Sequence, residues 1–104
     1  MSHISYVNGR YVRHDSARVH VEDRGFQFAD GVYEVFAVRG ETILDADRQF
    51  ERLWRSLDAL QIARPMSRAA MQMVLAELIR RNGTPASSVL YIQITRGVAP
   101  RNHA

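Results

Sequence analysis

Glu-Asp-Arg-Gly-Phe-Gln-Phe-Ala-Asp-Gly-Val-Tyr-Glu-Val-Phe-Ala-Val, residues 22–38, changes character halfway along. Up to Gly31 the stretch is polar and holds two glycines, so it closes a long ordered loop over 14–31, with room for one short strand at Val19–Val21. From Val32 it turns β-branched and aromatic, which predicts a strand over Val32–Val38 that Gly40-Glu41 turns back into Thr42–Leu44. Because side chains alternate along a strand, Tyr33, Val35 and Ala37 share one face and Glu34, Phe36 and Val38 the other.

Upstream, Ile4–Val7 and Arg10–Val12 flank Asn8-Gly9, a two-residue hairpin turn whose central positions tolerate positive φ. Downstream, Phe50, Leu53, Trp54, Leu57 and Leu60 recur at helical spacing, predicting a helix over 47–61 with Asp45 or Asp47 as its N-cap. Pro65 closes a linker. Ser67 then caps a second helix carrying Met71, Val74, Leu75 and Leu78, which Asn82-Gly83 ends, and Ser88–Arg96 reads as a last strand. Strands, two helices and a returning strand make an α+β fold: a small antiparallel-rich sheet with two helices packed on one face, in one domain spanning 1–104.

Composition narrows the function. The chain is 46% hydrophobic and 24% charged, as expected of a globular domain. No apolar run approaches a membrane span, and no charged start followed by an apolar core suggests a secretory signal. Without cysteine there are no disulfides or thiolate metal sites, and cytoplasm is the expected compartment. A net charge of +3 comes from scattered arginines with acids among them, and no nucleic-acid-binding motif accompanies it, so neither nucleic acid nor membrane is an expected partner. All 14 basic residues are arginine, so the chain has no lysine. The four histidines lack helical metal-ligand spacing, and there is no phosphate loop or dinucleotide fingerprint.

Several residues have two readings. Arg48, Arg52 and Arg55 lie opposite the apolar face of their helix, at roughly 130° or more from its centre. They are either a solvated basic face or an anion site, where a guanidinium fork grips phosphate or carboxylate, and periodicity does not choose between these. Tyr33 is a core or rim residue unless its hydroxyl opens into a cleft. Glu34 is a buried, partnered acid or a strand-end charge. Arg101 and His103, two apart after Pro100, belong to an exposed loop or jointly donate to a carboxylate.

Four segments, in order and over essentially the whole chain, resemble the N-terminal domain of fold-type IV pyridoxal-phosphate enzymes. They are Tyr-Val-Asn-Gly at 6–9, the signature at 22–34, Phe-Glu-Arg-Leu-Trp-Arg-Ser at 50–56 and Thr-Arg-Gly-Val-Ala-Pro-Arg-Asn-His at 95–103. The chain is most similar to the D-amino acid (D-alanine) transaminases. That resemblance implies that Arg52 helps hold the phosphate of pyridoxal 5'-phosphate, on a helix side that faces an interdomain cleft. It also implies that Tyr33, Arg101 and His103 bind the substrate α-carboxylate, the last two reaching into a neighbouring subunit of a homodimer.

The implied reaction exchanges an amino group between a D-amino acid and a 2-oxo acid. The Schiff-base lysine and the acid facing the pyridine nitrogen lie further along the chain in this family. The expectation is therefore an N-terminal domain of a longer enzyme, lacking its C-terminal catalytic domain and inactive alone, with Ala104 a poor place for a domain to end. The Arg-x-His pair at 101–103 separates the D-amino acid branch from branched-chain aminotransferases and aminodeoxychorismate lyases, which share the fold. A stand-alone, non-catalytic module binding a small anion or a protein partner is the reading from a different class. The missing lysine favours it, and the abrupt end speaks against it.

Overall fold

The computed structural model describes residues 3–100. Strands β1 (Ile4–Val7) and β2 (Arg10–Arg13) form the expected antiparallel hairpin, with Asn8 at φ 50° and Gly9 at φ 89° in its turn. A 3-10 turn at His14–Ser16 follows, then the short helix α1 (Arg24–Phe28). Strand β3 (Gly31–Arg39) pairs antiparallel with β4 (Thr42–Ile43) on one side and with β5 (Ser87–Thr95) on the other. Between β4 and β5 the chain runs through α2 (Ala46–Ala59) and α3 (Arg68–Arg81). The strands thus divide into a hairpin and a three-stranded sheet of order β4-β3-β5.

One core joins the parts. Phe36, Val38 and Leu90 from the sheet meet Phe50, Leu53 and Leu57 from α2, Ile62 from the linker, and Met71, Leu75 and Ile79 from α3. The residues of α2 at i, i+3 and i+7 face the sheet, and the Phe36 and Phe50 rings lie 5.2 Å apart. On α3 the buried stripe is Met71, Leu75 and Ile79, while Val74 and Leu78 are half-buried. The hairpin is tied to the end of α3 by Asn82, whose side chain accepts from the Ile4 amide at 2.9 Å and donates to the Ile4 carbonyl at 3.0 Å.

Ser67 Oγ accepts from the Ala70 amide at 3.1 Å, the expected cap of α3, and Gly83 follows its end at φ 87°. The start of α2 departs from expectation. Asp45 occupies the N-cap position at φ 52°, a left-handed conformation, and its carboxylate makes no capping bond. Asp47 lies in the first turn and pairs with Arg68 of α3, where its charge also suits the helix N-terminus.

The loop over 14–31 is also more structured than its composition suggests, and differently. Val19 and Val21 are exposed and form no strand, whereas α1 is helical. Asp23 caps α1 by accepting from the Gly25 amide at 2.8 Å, and Ala29 ends it at φ 56°. Five residues are too few to hold a helix alone, so α1 depends on what it packs against.

Candidate functional site

The polar signature at 22–34 and residues 95–99 of the second signature, widely separated in sequence, meet in space. Asp23, only 7% exposed, accepts from the Thr95 hydroxyl at 3.2 Å and forms a bridge pair with Val98. The Arg24 amide donates to the Gly97 carbonyl at 2.8 Å, and the Arg96 amide to the Asp30 carbonyl at 3.0 Å. Arg96 grips the Asp30 carboxylate with Nε at 2.6 Å and Nη2 at 3.2 Å, while Arg24 Nε lies 3.6 Å from the oxygen that Arg96 Nε binds. The hydrogen bond from Arg96 is the main reason the Asp30 carboxyl titrates below its usual range. Arg96 also donates to the carbonyls of Leu60 at 2.6 Å and Gln61 at 3.2 Å, satisfying acceptors at the end of α2.

Both glycines of the first signature are required by this joint. A Cβ at Gly25 meets Thr95 Cγ2 at 2.2 Å, and one at Gly31 meets the Ile94 carbonyl oxygen at 2.8 Å. Much of the dense polar pattern therefore serves to lock the loop and α1 onto the end of β5. That lock fixes where β3 begins, two residues before Tyr33.

Tyr33 and Glu34 point to opposite faces of β3, as alternation requires. Tyr33 is on the face away from the helices, 66% exposed, with its ring stacked on Tyr91 at 5.8 Å and 22°. Val35 and Ala37 share that face, and Val35 pairs directly with Tyr91 across the strands. Glu34 is on the helix side and only 4% exposed. It is the buried, partnered acid of the two alternatives, and its partner is Arg52.

The Arg52 guanidinium meets Glu34 side-on. Nε donates to Oε2 at 3.0 Å and Nη2 to Oε1 at 2.5 Å. Burial opposes ionisation of Glu34, yet the hydrogen bonds and charge of Arg52 outweigh it, and the carboxyl titrates below its usual range. Arg52 is correspondingly pushed up, mainly by Glu34, with a smaller electrostatic contribution from Tyr33. Its side chain is still 56% exposed, and no hydrogen bond engages Nη1 among the described residues. Arg48 and Arg55 lie one turn to either side on the same exposed face of α2.

Arg101 and His103 lie outside the described residues. Of the residues singled out in the sequence, Tyr33 lies on the open face of β3, whereas Arg52 of α2 meets Glu34 from the helix side of the same strand. Among the described residues no cluster of histidine and acidic side chains is suited to a metal, and no helix is long and apolar enough to cross a membrane.

This architecture is that of the N-terminal domain of fold-type IV aminotransferases. It superimposes on a T.th. branched-chain amino acid aminotransferase, complexed with N-(5'-phosphopyridoxyl)-L-glutamate, with a TM-score of 0.85 over 98% of this chain and 35% of that one, at 18% identity. It also matches 4-amino-4-deoxychorismate lyase from Pseudomonas aeruginosa, with a TM-score of 0.70 and 31% identity over 86% of this chain and 31% of that one. Amino-transferase class IV matches residues 31–104, and the chain belongs to that family. Among its relatives is a D-alanine aminotransferase of Listeria innocua serovar 6a, 39% identical over 98 residues, which are 93% of this chain and 34% of the relative. The chain spans about a third of the length of the relatives it matches.

Proposed function

We propose that this chain is the N-terminal part of a pyridoxal-phosphate-dependent D-amino acid transaminase, acting as a homodimer in the cytoplasm. The observation that carries the proposal is Arg52. Its guanidinium is fixed along one edge by a buried carboxylate and presents its remaining N–H groups outward.

That donor set fits the phosphate of the cofactor. A guanidinium has five N–H groups in one plane, and those left by Glu34 form a second fork matched to two phosphate oxygens. Arg48 and Arg55 add positive charge on the same face. When bound, pyridoxal phosphate supplies an aldehyde for the amino group and a ring that accepts electron density. Covalent attachment of that aldehyde falls to a lysine outside these 104 residues, which contain none.

In this proposal Arg52 anchors and orients the cofactor through its phosphate. Tyr33 directs its hydroxyl to the substrate α-carboxylate, and Arg101 and His103 supply further convergent donors from the neighbouring subunit. An arginine fork, a phenol and an imidazole around one carboxylate fix the orientation of the α-carbon, and so the face on which its proton is moved. A D-amino acid and a 2-oxo acid are then alternate occupants of one trap.

A second specificity within the fold is favoured by the 31% identity to a 4-amino-4-deoxychorismate lyase, and branched-chain aminotransferase activity belongs with it as a fold-level alternative. The deciding experiment uses the polypeptide that joins this domain to a lysine-bearing C-terminal domain. Incubated with D-alanine and 2-oxoglutarate, it is expected to release pyruvate. Turnover of L-leucine without any D-amino acid would assign the branched-chain specificity, and pyruvate release from aminodeoxychorismate alone would assign the lyase. The 104-residue chain by itself is expected to be silent with all three.

A further inference from the structure

We propose that Glu34 is a positioning residue for cofactor binding: it aims the Arg52 guanidinium, so that the free fork faces the cofactor phosphate. This deepens the reading of Arg52 given above and rests on it.

The position of Glu34 is the first reason. It lies on the inward face of β3, in line with Phe36 and Val38, where an apolar side chain is the ordinary occupant. A carboxylate buried there is costly, and a buried ion pair is often no more stabilising than apolar residues of the same volume. Stability alone therefore gives little reason for a glutamate at this site.

The geometry is the second reason. Both Glu34 oxygens are engaged by one guanidinium edge, Nε and Nη2. Arginine has many rotamers, and on the exposed side of a helix those would be sampled freely. A side-on pair leaves one orientation of the plane, with Nη1 and the outer Nη2 hydrogen forming an end-on fork that Glu34 does not use, on a side chain that is more than half exposed. Glu34 itself rides on β3, the central strand of its sheet, whereas its target is on α2, so the contact also sets the distance between helix and strand at this point.

Two physical effects of Glu34 oppose each other, which makes the proposal testable by sign. Its negative charge weakens the pull of Arg52 on an anion, so a purely electrostatic view expects phosphate binding to improve when the charge is removed. Positioning expects phosphate binding to suffer. Partners that orient a ligand-binding group without touching the ligand commonly change affinity by about 10–100-fold when removed, as measured at metal sites.

The test uses the full polypeptide carrying this domain, freed of cofactor, titrated separately with pyridoxal 5'-phosphate and with pyridoxal. The ratio of the two affinities isolates the phosphate. R52A is expected to collapse the ratio. An unchanged ratio in R52A would overturn the phosphate role of Arg52 itself and with it the inference. With Arg52 established, E34Q is expected to lower the ratio by about 10–100-fold while leaving pyridoxal affinity unchanged. The E34Q/R52A double variant should fall no lower than R52A, because Glu34 acts only through Arg52. A ratio unchanged or raised in E34Q, or a loss fully additive with R52A, would overturn the positioning role and leave Arg52 standing. Should E34Q not fold, E34D decides: it keeps the charge but shortens the reach, so a lowered ratio supports positioning and an unchanged one contradicts it.

Discussion

The two faces of the β3–β5 ladder are built from the same strands and do opposite things. The helix side carries Glu34, Phe36, Val38 and Leu90, all under 9% exposed, and Phe36 is fully buried beneath α2. The other side carries Tyr33, Val35, Val89 and Tyr91, between 42% and 70% exposed. Antiparallel sheets with one wet face usually alternate apolar with polar residues. Here the open face is mainly aromatic and aliphatic, with Gln93 opposite Tyr33 accepting from the Tyr91 hydroxyl, and the buried acid, Glu34, is on the covered face. The domain is thus held together on one side and left with unburied apolar surface on the other. In the proposed transaminase the covered side delivers the phosphate arginine past the strand, and the open side presents the substrate tyrosine.

The largest expected difference between the faces is in stability. Phe36→Ala should cost about 3–5 kcal/mol in a denaturant titration, from lost burial plus a cavity. Val35→Ala, one residue away on the open face of the domain, should change stability by no more than about 0.5 kcal/mol. Equal costs would mean that the open face is buried in solution by something other than this domain's own helices.

A smaller loss, of about 1–3 kcal/mol, is expected for Gly25→Ala, because overpacking rather than helix propensity decides at a 2.2 Å approach. Ordinarily alanine improves a helix over glycine. A stabilised Gly25→Ala would show that the joint between the two signatures gives way easily and does not set the start of β3.

The smallest effect is a pH dependence. Glu34 is held below its usual range by Arg52, so its contribution to stability is complete above that range and is lost as pH falls through its folded value. Wild type should therefore lose stability to acid more steeply than E34Q. Parallel acid profiles would place the charge of Glu34 in water and dissolve the contrast between the faces. Glu77, lowered to about 2 mainly by hydrogen bonds from Arg80 and Arg81, follows the same sign.

Local signals made much of this fold legible from the chain. Asn8-Gly9 marks its hairpin, Val32–Val38 its strand, Ser67 and Asn82-Gly83 the limits of a helix, because each works through neighbours in sequence. Alternation also put Glu34 on one face with Phe36 and Val38 while leaving open whether it is buried, and the helical wheel put Arg52 away from the apolar face. What neither supplies is the crossing of α2 over β3, which lets an exposed arginine reach a buried acid 18 residues earlier. Helix α1 was illegible for a similar reason: its five residues contain a glycine and carry no period, and the contacts that hold it come from Thr95 and Gly97. The signatures were legible as a family pattern. That Asp30 and Arg96 hold each other, 66 residues apart, required the structure. Arg101 and His103, on which the proposed carboxylate trap depends, rest on that family pattern, since they lie outside the described residues.

The central claim is a division of labour between the two faces, and a pair of variants in the complete enzyme tests it most directly. Arg52→Ala should weaken pyridoxal-phosphate affinity and, once the enzyme is saturated with cofactor, leave the KM for D-alanine near the wild-type value. Tyr33→Phe should raise that KM and leave cofactor affinity unchanged. If both substitutions move the same constant, or if Tyr33→Phe alters only cofactor affinity, the two faces do not serve separate ends of the site and the account is wrong.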